Sequence, residues 1–326
     1  MRKYLLAVLT STCVMSAIPE VVMASESYPS KPVTLVVGYP TGGGTDIIAR
    51  IVANQLSKEL GQSVIVENRA GATGTIGANH VAKSAPDGYT LLLSAGSDVT
   101  ITKITVPTLP YNIFHDFAPV SRVARTPFVM VTNQQTNAST VNEFVDYAKQ
   151  NESSVNVSAS ATFSFLNGAR FKNLTGLNLV SVQYKGAAQA ITDLIGNHVQ
   201  VGFETVAVSL PYLESKQLKA LAVASEERSP YLPDVPTFNE SGIRDFESYV
   251  PYGVLAPKGT PEGVIKKLQE AINRAVENPE VREQMKAQAM EPVLADTPEK
   301  YKEDLAKTTD LWTNVAQSIG FKPGES

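Results

Sequence analysis

Three consecutive glycines, Gly42-Gly43-Gly44, stand between an apolar run at 33–38 and a helical pattern that begins near Thr45-Asp46. Glycine costs conformational entropy on folding, so a triplet at such a junction implies a task that needs bare backbone. A strand that turns through glycines into a helix aims free main-chain N–H groups at one point. The helix dipole adds about half a positive charge there. The product is an anion site without Lys or Arg, as suited to a carboxylate as to a phosphate. A plain tight turn is the alternative for this stretch. Tyr184-Lys185-Gly186-Ala187-Ala188 repeats the strand–glycine–helix junction. Two such helix starts facing each other would hold a ligand with two carboxylates at both ends.

Other chemistry finds little support. A phosphate loop needs a lysine followed by Ser or Thr, and Thr45-Asp46 occupies that place. The dinucleotide fingerprint fails because Ile47 stands where a third spaced glycine belongs. Asp46 is read as a first-turn acid that stabilises its helix; turned inward, it would repel a phosphate. His80, His115 and His198 lack the i, i+4 spacing of a helical zinc site and are assigned surface or structural roles. No G-x-S-x-G elbow is present. No catalytic residue, metal or cofactor is expected, and the protein is read as a non-enzyme.

The elements that must position these turns form two cycles. Strands at 33–38, 63–67 and 89–94 alternate with helices after the triple glycine and after the glycine-rich turn 71–77. That is the βαβαβ pattern of a parallel sheet. The second cycle has strands at 128–132, 155–159, 180–184, 201–204 and 218–224, with helices at 141–150, 166–175 and 187–195. A turn-rich stretch, 225–242, leads to a strand near 252–256. Thr260-Pro261-Glu262 and Thr297-Pro298-Glu299 each combine a capping hydroxyl, a first-turn proline and an acid, so the C-terminal part is helical. Trp312 falls on the apolar face of the last helix and is read as core.

Residues 1–24 are set aside. Arg2-Lys3, a short apolar segment and Val22-Met23-Ala24 read as a secretory signal peptide cleaved after Ala24. That segment carries Arg2, Lys3, Glu20 and the only cysteine, Cys13. What remains has 26 basic against 31 acidic residues, a net charge of −5, and neither a disulfide nor a thiol. There is no basic surplus for nucleic acid and no later apolar run long enough to cross a membrane. A monomeric, exported, globular protein is expected.

At this point the chain resembles the tripartite tricarboxylate transporter substrate-binding proteins, the Bug or TctC-like family. The resemblance is carried in order by "YPSKPVTLVVGYPTGGGTDIIAR" (28–50), "VIVENRAGATGTIGANHVAKSAPDGYTLLL" (64–93), "VQYKGAAQAITDLIGNHVQVGF" (182–203), "LKALAVASEERSPYLPDVPTFNESG" (218–242) and "GVLAPKGTPEGVIKKL" (253–268). It implies a periplasmic-binding-protein-like α/β fold: two α/β domains with mixed sheets flank a ligand cleft, joined by two crossover segments. Domain 1 would be 25–125 with 251–326, and domain 2 would be 126–250. The implied role is capture of a small organic carboxylate, a di- or tricarboxylate or an aromatic carboxylate, by cleft closure, and delivery to membrane permease subunits.

Carried over by position, the first-domain contacts would be Tyr39, Thr41, Gly43, Gly44 and Thr45, with Ser94, Ala95 and Ser97 on the same wall. The second domain would add Ser158, Ala159, Thr162 and Ser164, then Tyr184, Gly186 and Ala187; Tyr184 and Lys185 either line the site or only shape their turn. Two stretches depart from the family pattern. Phe165 and Ala169 stand where the family carries a histidine and a glutamate, and Glu204 stands where an aspartate is usual. An acid at Glu204 would repel a carboxylate or select an amine, or be a structural acid. Phe163 and Phe165, with Tyr249 and Tyr252, point to an aromatic acid or to ordinary core. Competing readings are an exported α/β enzyme acting on small carboxylates and a ligand-loaded co-receptor for a sensor kinase.

Overall fold

Strand β1 (Val33–Val37) passes through the glycine triplet into helix α1 (Gly44–Leu60), which ends at Gly61 in the left-handed conformation. Strand β2 (Val64–Asn68), a tight turn at 72–74, helix α2 (Thr75–Ala82) and strand β3 (Thr90–Ser94) complete the first βαβαβ unit. A π-helical turn, Ser97–Ile101, runs into α3 (Thr102–Thr105), and α4 (Ile113–Asp116) precedes the long strand β4 (Phe117–Asn133). The second cycle is α5 (Val141–Gln150), β5 (Asn156–Ala159), α6 (Thr162–Thr175), β6 (Val180–Gln183), α7 (Ala187–Ile195), β7 (Val201–Thr205), α8 (Val206–Glu214) and β8 (Leu218–Val223). Strand β9 (Tyr249–Pro257) returns, followed by α9 (Glu262–Glu277), α10 (Pro279–Lys286), the short β10 (Glu291–Pro292) and α11 (Pro298–Ser318). This computed structural model describes residues 28–106, 108–151 and 155–321, so the signal-peptide expectation for 1–24 lies outside the described residues.

The strands form one hydrogen-bonded path, β2-β1-β3-β9-β4-β7-β5-β6, with β8 and β10 also paired to β4. Strand β4 belongs to both ends of it. Its residues 117–127 pair with β9, and 128–132 pair with β7. Strand polarity then decides where the loops point. Strand β3 is antiparallel to β9, which is antiparallel to β4, so β1, β2 and β3 run in the direction of β4. Strand β7 is antiparallel to β4, and β5 and β6 are parallel to β7. The C-terminal ends of the two parallel sets therefore point toward each other across the middle of β4. Ser94 ends β3 at the level of Arg122, and Thr205 ends β7 opposite Phe128. The strand between those levels is roughly 20 Å long at about 3.3 Å per residue.

Each end has its own core on both faces of the sheet. In the first region α1, α9 and α10 cover Leu35, Leu91, Leu93 and Val254, while Val36, Leu92, Phe117 and Leu255 pack with α2 and Tyr301 on the other face. In the second, an aromatic cluster of Phe144, Phe171, Phe203, Phe238 and Phe246 lies on one face, and α7 and α8 cover Val129 and Val131 on the other. Helix α11 serves both regions: Tyr301 and Leu305 join the first core, and Trp312 and Val315 join the second.

The first half of β4 and helix α8 are elements that the periodicity does not announce. Bulges near Val120 and Val123 break the strand's alternation. Arg122 is not a surface residue there: Asp296 accepts from its main-chain N–H at 2.7 Å and from its guanidinium at 2.7 Å, and Asp304 lies 3.3 Å away. Helix α8 contains Pro211 and carries Thr205 as its cap, accepting from Val208 N–H.

Candidate functional site

The first wall is built at the C-terminal ends of β1 and β3. Gly43 occupies the extended N-cap position of α1, and no side chain caps the helix. The Gly43 carbonyl takes the first intrahelical bond, from Ile47 N–H at 3.0 Å. That leaves the N–H groups of Gly44, Thr45 and Asp46 as the orphan donors of a helix start. Asp46 does not compete for them. Its carboxylate is buried and accepts from Gly42 N–H at 2.9 Å, Asn68 Nδ2 at 2.9 Å and Arg50 at 2.9–3.0 Å. Burial opposes the charge, but these donors together hold the carboxyl down at about 2. Asp46 thus closes the glycine turn onto the helix and is itself neutralised.

Around this start, Tyr39 is half-buried, and its hydroxyl bonds the Ser97 hydroxyl at 2.7 Å and the Thr73 carbonyl at 3.3 Å. Burial and the nearby Asp98 keep the phenol protonated. Thr41 is exposed and donates to Asn68 Oδ1 at 3.1 Å. Thr45 is buried and Gly44 is exposed. A Cβ on Gly44 would lie 3.7 Å from both the Tyr252 hydroxyl and Met290 Cε, which is ordinary contact. Ser94 is fully buried: its hydroxyl donates to Asp98 Oδ1 and accepts from Gly96 N–H. Ala95 is also buried, and Ser97 is half-buried at the surface.

Sequence reading missed several supports of this wall. Residues Gly71, Ala72, Thr73 and Gly74 all have positive φ, and only two of them are glycine. Nothing in the types Ala and Thr signals that conformation. The Gly74 main chain lies against Gly38, where a Cβ would come within 2.6 Å of the Gly74 carbonyl oxygen. Asp98 is fully buried below the wall, and burial pushes its carboxyl up to about 7. Tyr252 was named only as one of four aromatics.

The second wall lies at the ends of β5, β6 and β7. Helices α6 and α7 both start without a side-chain cap, after Ala161 and Gly186 respectively. Gly186 is extended, with open space where a Cβ would be. Gly186 and Ala187 are half-buried, and Lys185 is exposed. The Tyr184 hydroxyl donates to Asp193 at 2.9 Å on α7, which ties its ring to that helix. Thr162 is half-buried; Ser158, Ala159 and Ser164 are buried, with the Ser164 hydroxyl 3.3 Å from the Ser158 carbonyl oxygen. Glu204 is 4 % exposed, and burial raises its carboxyl to about 7 against the opposing pull of the Ser160 and Ser164 hydroxyls.

Three of the four suggested aromatics are committed elsewhere. Phe163 packs edge-on against Trp312 at 5.6 Å, Phe165 packs with Phe321 at 5.8 Å, and the Tyr249 hydroxyl bonds Asp304. Only Tyr252 stands beside a glycine helix start. Among the described residues no group of three or more His, Cys, Asp and Glu is arranged to hold a metal ion. No helix among them is long and apolar enough to cross a membrane.

The profile of the tripartite tricarboxylate transporter family receptors matches residues 48–321. The chain belongs to that family. The receptor is 36% identical to protein BugT of Bordetella pertussis over 303 residues, which cover 92% of this chain and 93% of BugT. A solved R. palustris protein with adipate is 30% identical, with a TM-score of 0.77 over 91% of this chain and 99% of that one. MatC from Rhodopseudomonas palustris with bound malate is 29% identical, with a TM-score of 0.73 over 88% of this chain and 99% of that one. The receptor is a periplasmic-type solute-binding protein of mixed α/β fold, as the resemblance implied.

Proposed function

We propose that the receptor captures a small organic carboxylate between its two sheet regions, closes on it, and hands it to the membrane permease of a tripartite tricarboxylate transporter. The two regions act as domains, residues 25–125 with 251–326 and residues 126–250, hinged at β4 and β9. The protein works in the periplasm after its leader is removed behind Ala24. Strand polarity carries this reading: the uncapped starts of α1 and α7 lie at the ends of parallel strands that point toward one another. Ligands of open α/β sheets sit at such C-terminal ends. The adipate and malate in the two R. palustris relatives support the choice of ligand class.

Binding needs no covalent step. A carboxylate docks on the Gly44–Asp46 amides, with Tyr39, Thr41 and Ser97 at its side. Closure brings up Thr162, Gly186 and Ala187 and excludes water, which strengthens each polar contact. Each hydrogen bond to a charged group contributes about 1.5–3 kcal/mol, and several of them reach about −8 kcal/mol after association costs, a micromolar affinity. The test is calorimetry and thermal shift of the mature protein against mono-, di- and tricarboxylates, beside Gly44→Asp. The variant keeps its fold, since the added Cβ meets only ordinary contacts, and is expected to lose carboxylate binding. Unchanged affinity in Gly44→Asp would reject the site.

A further inference from the structure

The second wall contains a charge that the anion-site picture does not use. Ser158 lies opposite Gly202, and a Cβ on Gly202 would meet the Ser158 hydroxyl oxygen at 2.6 Å. Side chains alternate along a strand, so Glu204, two residues after Gly202, shares that face of the sheet. Glu204 is the penultimate residue of β7, opposite Val129 and next to the point where β4 crosses between the regions. Ser160 and Ser164, at the turn into α6, stabilise its charged form. Among the described residues, its Oε1 is buried without a hydrogen-bond partner, and so is the Ser158 hydroxyl oxygen. No basic side chain is among the groups that set its charge. Asp46, by contrast, has Arg50.

We propose that Glu204 turns this end of the cleft into a seat for a hydrogen-bond donor, so that the ligand is a carboxylic acid whose far end carries a hydroxyl or an ammonium group instead of a second carboxylate. The proposal rests on the carboxylate-receptor reading and narrows it. The uncapped start of α6 attracts negative charge, and Glu204 in its ionised form supplies that charge beside the first turn. A second ligand carboxylate there would bring two anions together out of water, and each would disfavour the other's ionisation. A hydroxyl or ammonium group instead gives the orphaned Oε1 the donor it lacks. A buried acceptor left unpaired is expensive, so such a seat discriminates strongly against ligands without the donor.

The test uses three matched sets of probes on the mature protein by calorimetry at pH 8.5, where Glu204 is ionised. They are succinate, 4-hydroxybutyrate and 4-aminobutyrate; adipate, 6-hydroxyhexanoate and 6-aminohexanoate; and terephthalate, 4-(hydroxymethyl)benzoate and 4-(aminomethyl)benzoate. In the set that binds best, a donor-ended member is expected to bind at least tenfold tighter than its dicarboxylate. A hydroxyl preference and an ammonium preference separate the two donor types. Glu204→Gln is expected to shrink that preference to within about threefold, with dicarboxylate affinity unchanged or improved. A dicarboxylate that binds wild type as tightly as its donor-ended partners overturns the proposal and leaves the carboxylate receptor standing. So does a Glu204→Gln variant that keeps the full preference. Binding of none of the nine probes overturns both. The wild-type comparison stands even if the variant fails to fold.

Discussion

Two carboxylates sit beside helix starts on opposite sides of the crossing, and their surroundings shift them in opposite directions. Asp46, in the first turn of α1, accepts from Gly42, Asn68 and Arg50 and is held at about 2. Glu204, beside the first turn of α6, is as deeply buried but has only the serine hydroxyls to support its charge, and it is raised to about 7. Burial opposes ionisation at both places; the number and charge of the donors decides the outcome. Where the acid is fully occupied by its own chain, the helix amides stay free for an outside anion. Where it is not, the acid keeps an acceptor oxygen without a donor.

The largest expected effect comes from erasing that distinction. Gly44→Asp sets an unsupported carboxylate at the first wall, and carboxylate affinity should fall at least 100-fold by calorimetry, roughly 3 kcal/mol. Next is the pH dependence of Glu204. Its pKa in the folded protein is raised from 4.5 to about 7, so the folded state holds the proton more tightly than the unfolded chain. The associated stability is fully present below about 4.5 and is lost as pH rises through 7. Glu204→Gln should therefore stabilise the unliganded protein at pH 8.5 by up to about 3 kcal/mol, and by much less at pH 5. Denaturant melts at both pH values measure this, and the slope left in the variant belongs to Asp98, which is shifted the same way.

Asp46 has the opposite sign. Its lowered pKa contributes stability that is present above 3.8 and lost as pH falls through about 2. Asp46→Asn should cost roughly 2 kcal/mol at pH 7, and the difference from wild type should vanish in acid unfolding near pH 2. A smaller loss would mean that Arg50, whose side chain is 52% exposed, does little of the holding. Gly186→Ala should matter least. Its backbone is extended and its surroundings are open, so thermal melts should move by no more than about 0.5 kcal/mol.

How much was legible depended on whether a signal was local. Helices at 141–150 and 187–195 match their apolar spacing residue for residue, because local signals set them, with Thr140 capping the first and glycines flanking the second. The first half of β4 was illegible because its bulges and Arg122 make sense only once Asp296, far along the chain, stands beside it. At the site, the glycine turns were readable from their types. The left-handed Ala72 and Thr73 were not, since neither residue favours that conformation. The state of Glu204 depends on two parallel pairings, which bring Ser158 beside Gly202 and Glu204 beside the turn into α6.

The chain's single tryptophan is Trp312 on α11, and its ring meets Phe163 in the first turn of α6 edge-on at 5.6 Å. Phe163 in turn contacts Phe128, at the crossing of β4. The sole strong fluorophore is thus wedged where the second wall meets the crossing strand, shielded from solvent. A shift of α6 relative to the strand and the helix behind it alters the indole's surroundings directly, so emission wavelength and quenching would report the proposed closure in unlabelled protein.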